Sequence, residues 1–104
     1  MDILIQDLQK TIEALETLSD QPATAGEQID ELLDQLFQQK IDLVATTLNV
    51  ASPPYQQAAL AMKQAAGQAA RAVKEPAQLA EATGAVAEAI TKLAKLLDSV
   101  IPGH

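Results

Sequence analysis

Apolar residues recur along this chain at helical spacing, and polar or proline-bearing stretches divide the recurrence into four segments. Ile5, Leu8, Ile12 and Leu15 stand three and four apart, with Leu4 and Leu18 widening the seam. Such a stripe buries on one side of an α-helix and predicts a helix over about 2–18. Ser19-Asp20-Gln21-Pro22 should end it, because proline cannot continue the backbone ladder. A second helix is predicted over about 24–50. Thr24-Ala25-Gly26-Glu27 has the form of a capping box, in which hydroxyl and carboxylate each satisfy an orphan backbone N–H. Two apolar rows follow. Ile29, Leu36, Leu43 and Val50 form one, and Leu33, Phe37, Ile41, Val44 and Leu48 form the other. Two rows make a face wider than one neighbour covers, so this helix is expected to be the central one, touching two others.

Ser52-Pro53-Pro54 opens a third helix, expected over about 53–74: serine is a good N-cap and proline fits the first helical position. Its apolar face is mostly alanine. Pro76 then interrupts the pattern and pushes Glu75 away from helical angles. Beyond it, Leu79, Val86, Leu93 and Val100 repeat every seven residues, with Ala82, Ala89, Ile90, Leu96 and Leu97 beside them, which predicts a fourth helix over about 76–100. An alternative makes residues 53–100 one long helix kinked at Pro76. The fold class that follows is all-α, an antiparallel bundle of about four helices, with 1–104 as a single domain.

Composition reinforces the pattern. The 104 residues include 20 Ala and 14 Leu but one Phe, one Tyr and no Trp. Good helix formers dominate, and β-branched and aromatic residues are scarce. Sixteen of the alanines lie in residues 51–104, so the first half is Leu/Ile-rich and the second Ala-rich. Charge is divided in the same way. Residues 1–42 hold ten acids and two bases, a balance of −8; residues 43–104 hold four acids and five bases, a balance of +1; the total is −7. Acidity of this size argues against nucleic acid, whose phosphates require Lys and Arg, and against anionic membrane surfaces. It permits a basic protein partner, and solubility is the plainer account of it. Met1–Asp7 has no basic, apolar leader, so the expected location is the cytoplasm, with leaderless secretion left open.

Candidate chemistry is sparse. The absence of Cys removes disulfides, thiolate metal sites and cysteine nucleophiles. The one histidine, His104, is the last residue, where nothing holds it against a substrate. Glu27, Asp30, Glu31 and Asp34 cluster early in the second helix. Acids there complement the helix dipole, and no Glu-x-x-His motif accompanies them to suggest a carboxylate metal site. Gly84, inside the fourth helix, marks either close packing against the Ala-rich third or a weak spot, since glycine costs about 1 kcal/mol there relative to alanine. Lys63, Arg71 and Lys74 lie near one side of that third helix, whose alanines suit packing better than insertion into a membrane.

No catalytic, cofactor-binding or metal-binding residue is therefore assigned. The expectation is a non-enzymatic protein–protein interaction module, such as an adaptor, chaperone or neutralising partner, that also self-associates through its apolar seams. The rival is a secreted or assembly-forming structural protein. Three residues are candidate partner contacts. Asp34 and Asp42 are acids that helix-dipole complementation does not explain. Tyr55 is the sole tyrosine, next to the Pro-Pro turn, where it either anchors a contact or packs on the bundle's end.

Overall fold

The computed structural model describes residues 3–21 and 26–100. They form four α-helices: α1 (Ile3–Ser19), α2 (Gly26–Val44), α3 (Pro53–Lys74) and α4 (Leu79–Val100), with a short 3-10 turn at Pro76–Gln78 before α4. The all-α bundle is as the periodicity predicts. Met1, Asp2, Pro22, the Thr24 half of the capping box, Pro102, Gly103 and His104 lie outside the described residues.

Directions follow from the cross-helix contacts. Ser19 Oγ donates to Asp30 Oδ1, and Lys40 Nζ donates to Gln9 Oε1, so α1 and α2 run antiparallel. Thr11 Oγ1 on α1 lies 3.6 Å from Met62 Sδ on α3, and Gln21 Nε2, just past α1, donates to the Val73 carbonyl near the end of α3. Those partners are 51 and 52 residues apart, so α1 and α3 run parallel. Gln39 on α2 donates to the Ile90 carbonyl on α4, and because α4 folds back on α3 while α2 runs against α1, α2 and α4 are parallel too. The fold is two helical hairpins stacked in the same orientation. Around the ring the order is α1, α2, α4, α3, which leaves α2 and α3 at opposite corners. At 40 × 22 × 21 Å the molecule is about one long helix tall and two helices wide.

One apolar cluster fills the centre. Leu4, Leu8, Leu15 and Leu18 enter it from α1, Ile29, Leu36 and Leu43 from α2, Ala58, Met62, Ala65 and Ala72 from α3, and Val86, Leu93, Leu96 and Leu97 from α4. In α1 the seam is rotated from the expected one. Leu4 rather than Ile5 is fully buried, and Thr11 joins the core by donating its hydroxyl to the Asp7 carbonyl at 2.8 Å.

Three expectations need correction. First, α2 is not the central helix. It touches two neighbours, α1 and α4, but α3 makes the most extensive packing, against α4 and α1. The alanines explain this: Ala58, Ala65, Ala69 and Ala72 are fully buried, and small side chains let neighbouring helices come close. Of the second apolar row on α2, Leu33 is buried but Phe37, Ile41 and Val44 stay outside.

Second, α2 stops at Val44, short of Asn49–Ala51. The chain has β-branched residues at Val44, Thr46 and Thr47, which are poor helix formers. Asn49 then forms a local turn, its Oδ1 accepting from the Ala51 amide and its carbonyl from the Ser52 amide, and such bonds compete with the helix. Val50, expected on the buried row, is exposed in this turn. Ser52 caps α3 as expected: its Oγ accepts from the Tyr55 amide, with Pro53 at the first helical position.

Third, α3 and α4 are separate helices rather than one kinked helix. Glu75 takes extended angles, φ −128° and ψ 95°, and donates its amide to the Arg71 carbonyl. The chain turns through the 3-10 segment, and α4 folds back against α3. Gly84 does not mark a close approach in that hairpin, since a Cβ added there would meet nothing within 4 Å.

Candidate functional site

The surface that calls for an explanation is the outer side of α2. Phe37, Ile41 and Val44 are 42, 61 and 63% exposed. At 3.6 residues per turn they share one stripe, and Glu27, Asp30 and Asp34 continue it toward the helix N-terminus within about 100° of arc. All three acids are exposed. The stripe is therefore acidic at one end and apolar at the other. Core residues Ile29, Leu32, Leu36 and Gln39 occupy the other side of the helix. Packing against α1 and α4 uses that side and leaves the stripe exposed, with only Asp30 reached from α1, by the Ser19 hydroxyl.

Beside the stripe, α2 and α4 leave a cleft of about 410 Å³ between them. One wall is polar, with Gln35, Gln38, Gln39 and Asp42; the other is apolar, with Ile90, Ala94 and Leu97. Gln39 is 8% exposed and its Nε2 donates to the Ile90 carbonyl at 3.0 Å. Its Oε1 is buried without a hydrogen-bond partner. A buried carbonyl in this state costs stability, and Gln68 Oε1 on α3 is in the same state.

The three candidate contacts fall in three different places. Asp34 stands on the exposed stripe. Asp42 is half-buried at the cleft, with its backbone carbonyl accepting from Thr46 Oγ1 at 2.7 Å. Tyr55 is 5% exposed within the core cluster, so of its two readings the packing one describes the structure and the surface anchor does not. Sequence reasoning missed Phe37, Ile41 and Gln39. The first two read as core because they share a helical row with Leu33. Gln39 gave no signal, because a glutamine among Gln38 and Lys40 looks like surface. Among the described residues, no three His or acidic side chains converge to hold a metal ion.

A stacked pair of helical hairpins with an uncovered acidic–apolar helix face is thus what the fold defines. Compared with protein-family models, curated proteins and solved structures, the chain matches none. No described helix is long and apolar enough to cross a membrane.

Proposed function

We propose that this chain is a non-enzymatic protein-interaction module working in the cytoplasm, and that the outer face of α2 is its working surface. One observation carries the reading: Asp30, Asp34, Phe37, Ile41 and Val44 form a single exposed stripe on a helix whose other side is already committed to the core. Uncovered large apolar side chains beside charges of one sign suit a docking face. Its complement is an amphipathic helix with apolar residues at one end and Lys or Arg at the other. Opposite charge speeds and orients the encounter, and the apolar end supplies the burial. Nothing in this role requires a nucleophile, an acid–base pair or a cofactor.

The test uses a short synthetic amphipathic helix with leucines at one end of its apolar face and arginines at the other. A control peptide replaces the arginines with glutamates. Titrated into the isotope-labelled protein, the basic peptide should shift the backbone amides of α2 between Asp30 and Val44, and the acidic one should not. Replacing Phe37 and Ile41 by serine should weaken binding about tenfold or more, given the apolar area these two side chains expose. Equal shifts with both peptides, or shifts centred on another helix, would refute the assignment.

A further inference from the structure

The α2 stripe has a counterpart on the same chain. On α3, Leu60 is 60% exposed, and Gln64, Gly67, Arg71 and Lys74 lie exposed on the same side within about 80° of arc. This stripe is apolar at its N-terminal end and basic at its C-terminal end, the reverse polarity of α2. The spacings also agree. From Glu27 through Asp30 and Asp34 to Ile41 the steps are three, four and seven; from Lys74 back through Arg71 and Gly67 to Leu60 they are three, four and seven again. Laid antiparallel, the two stripes therefore place Glu27 at Lys74, Asp30 at Arg71 and Ile41 at Leu60 in a single register. Asp34 then meets Gly67, where a Cβ would find only open space, so the helices can come close at the middle of the contact. Phe37 falls beside it, over Gln64.

The two stripes cannot satisfy each other within one molecule, because α2 and α3 occupy opposite corners of the bundle. We infer that the occupant of the α2 face is a second copy of this chain, docked through its α3. The inference rests on the reading of α2 as a docking face and names the partner. Charge complementarity and the shared spacing both favour a second copy over a foreign helix. The contact joins two different surfaces, so it is heterologous: each protomer keeps a free α3 face at one end and a free α2 face at the other, and assembly continues past the dimer. Arg71 suits its position, since guanidinium and carboxylate pair through two parallel hydrogen bonds.

Charge exchange in the full-length chain tests this by sedimentation at low salt across a concentration series. The wild type should show an average mass that rises beyond the dimer and falls when salt is added. A variant with Glu27→Lys and Asp30→Lys should associate about tenfold or more weakly, and so should one with Arg71→Glu and Lys74→Glu, because each replaces attraction by like-charge repulsion. All four positions are exposed, and circular dichroism would verify that the helices remain. Combining the four substitutions in one chain, or mixing the two variants, should restore association. Assembly that stops at the dimer, persists in either single-face variant, or fails to return on combination overturns the inference. A wild type that stays monomeric yet binds the basic peptide on α2 also overturns it, while leaving the docking face intact with a foreign partner.

Discussion

Replacing Gln39 by methionine should stabilise the protein, and the size of the gain follows from the state of one amide. Gln39 is buried between α2 and α4, with one hydrogen bond made and one acceptor unmet. Methionine has similar length and similar helix propensity, so the backbone should register little change. Losing the bond to the Ile90 carbonyl costs about 1 kcal/mol, which is typical of a neutral hydrogen bond. That carbonyl sits within α4 and keeps the helix ladder as its alternative. Removing a buried unmet carbonyl recovers about 1–3 kcal/mol, and the thioether adds about 1 kcal/mol of apolar burial beside Ile90 and Leu97. The net expectation is a gain of about 1–3 kcal/mol. For a chain of this length that corresponds to a rise in Tm of roughly 5–15 °C. Urea unfolding followed by circular dichroism should show the midpoint rise with an unchanged slope. Gln39→Ala is the companion measurement: it relieves the same carbonyl but leaves a void, and should fall below the methionine variant by about 1–2 kcal/mol. A methionine variant less stable than wild type by about 1 kcal/mol or more would show that Oε1 is satisfied in solution and that the premise is wrong.

Three further substitutions probe other parts of the structure. Leu93→Ala should destabilise by about 2–4 kcal/mol in the same urea assay, because Leu93 is fully buried between helices that cannot collapse fully onto the void. Gly84→Ala should add about 1 kcal/mol, since Gly84 sits in an exposed helix interior with open space where the methyl would go; a loss of stability would mean that another helix approaches there after all. Ser52→Ala should cost about 1 kcal/mol by removing both the cap on the Tyr55 amide and the bond from its hydroxyl to the Asn49 carbonyl, and the loss should be visible in thermal melts.

The sequence declared the helices far better than their arrangement. Stop signals with a local mechanism, such as Ser52-Pro53 and Pro76, act within a few residues and lie close to the observed boundaries. The eight residues that α4 buries are nearly those of its heptad pattern, because that helix is apolar on one side only. For α2, periodicity identified a broad apolar face but not how much of it would be covered. Coverage depends on how the other helices pack, and the most extensive packing goes to the Ala-rich α3, against α4 and α1, rather than to α2. Phe37 and Ile41 were left outside by packing elsewhere in the chain. Gln39 was invisible for a different reason: burial of a single amide depends on which turn of α4 lies opposite, and that register is a tertiary property.

The same geometry explains why the uncovered face carries its particular charges. Stacking two hairpins in one orientation places α2 and α3 on a diagonal, so neither can screen the other. The charge asymmetry between the halves of the chain, −8 against +1, then becomes a polarity of the folded molecule, with acids on the outer side of α2 and Arg71 and Lys74 on the outer side of α3. Had the fold been a bundle with α2 beside α3, the two stripes could have closed on each other and stabilised the monomer. A 51-residue displacement between parallel helices instead leaves both open. Stability comes mainly from the interior seams, and neither stripe is covered by the other within the molecule.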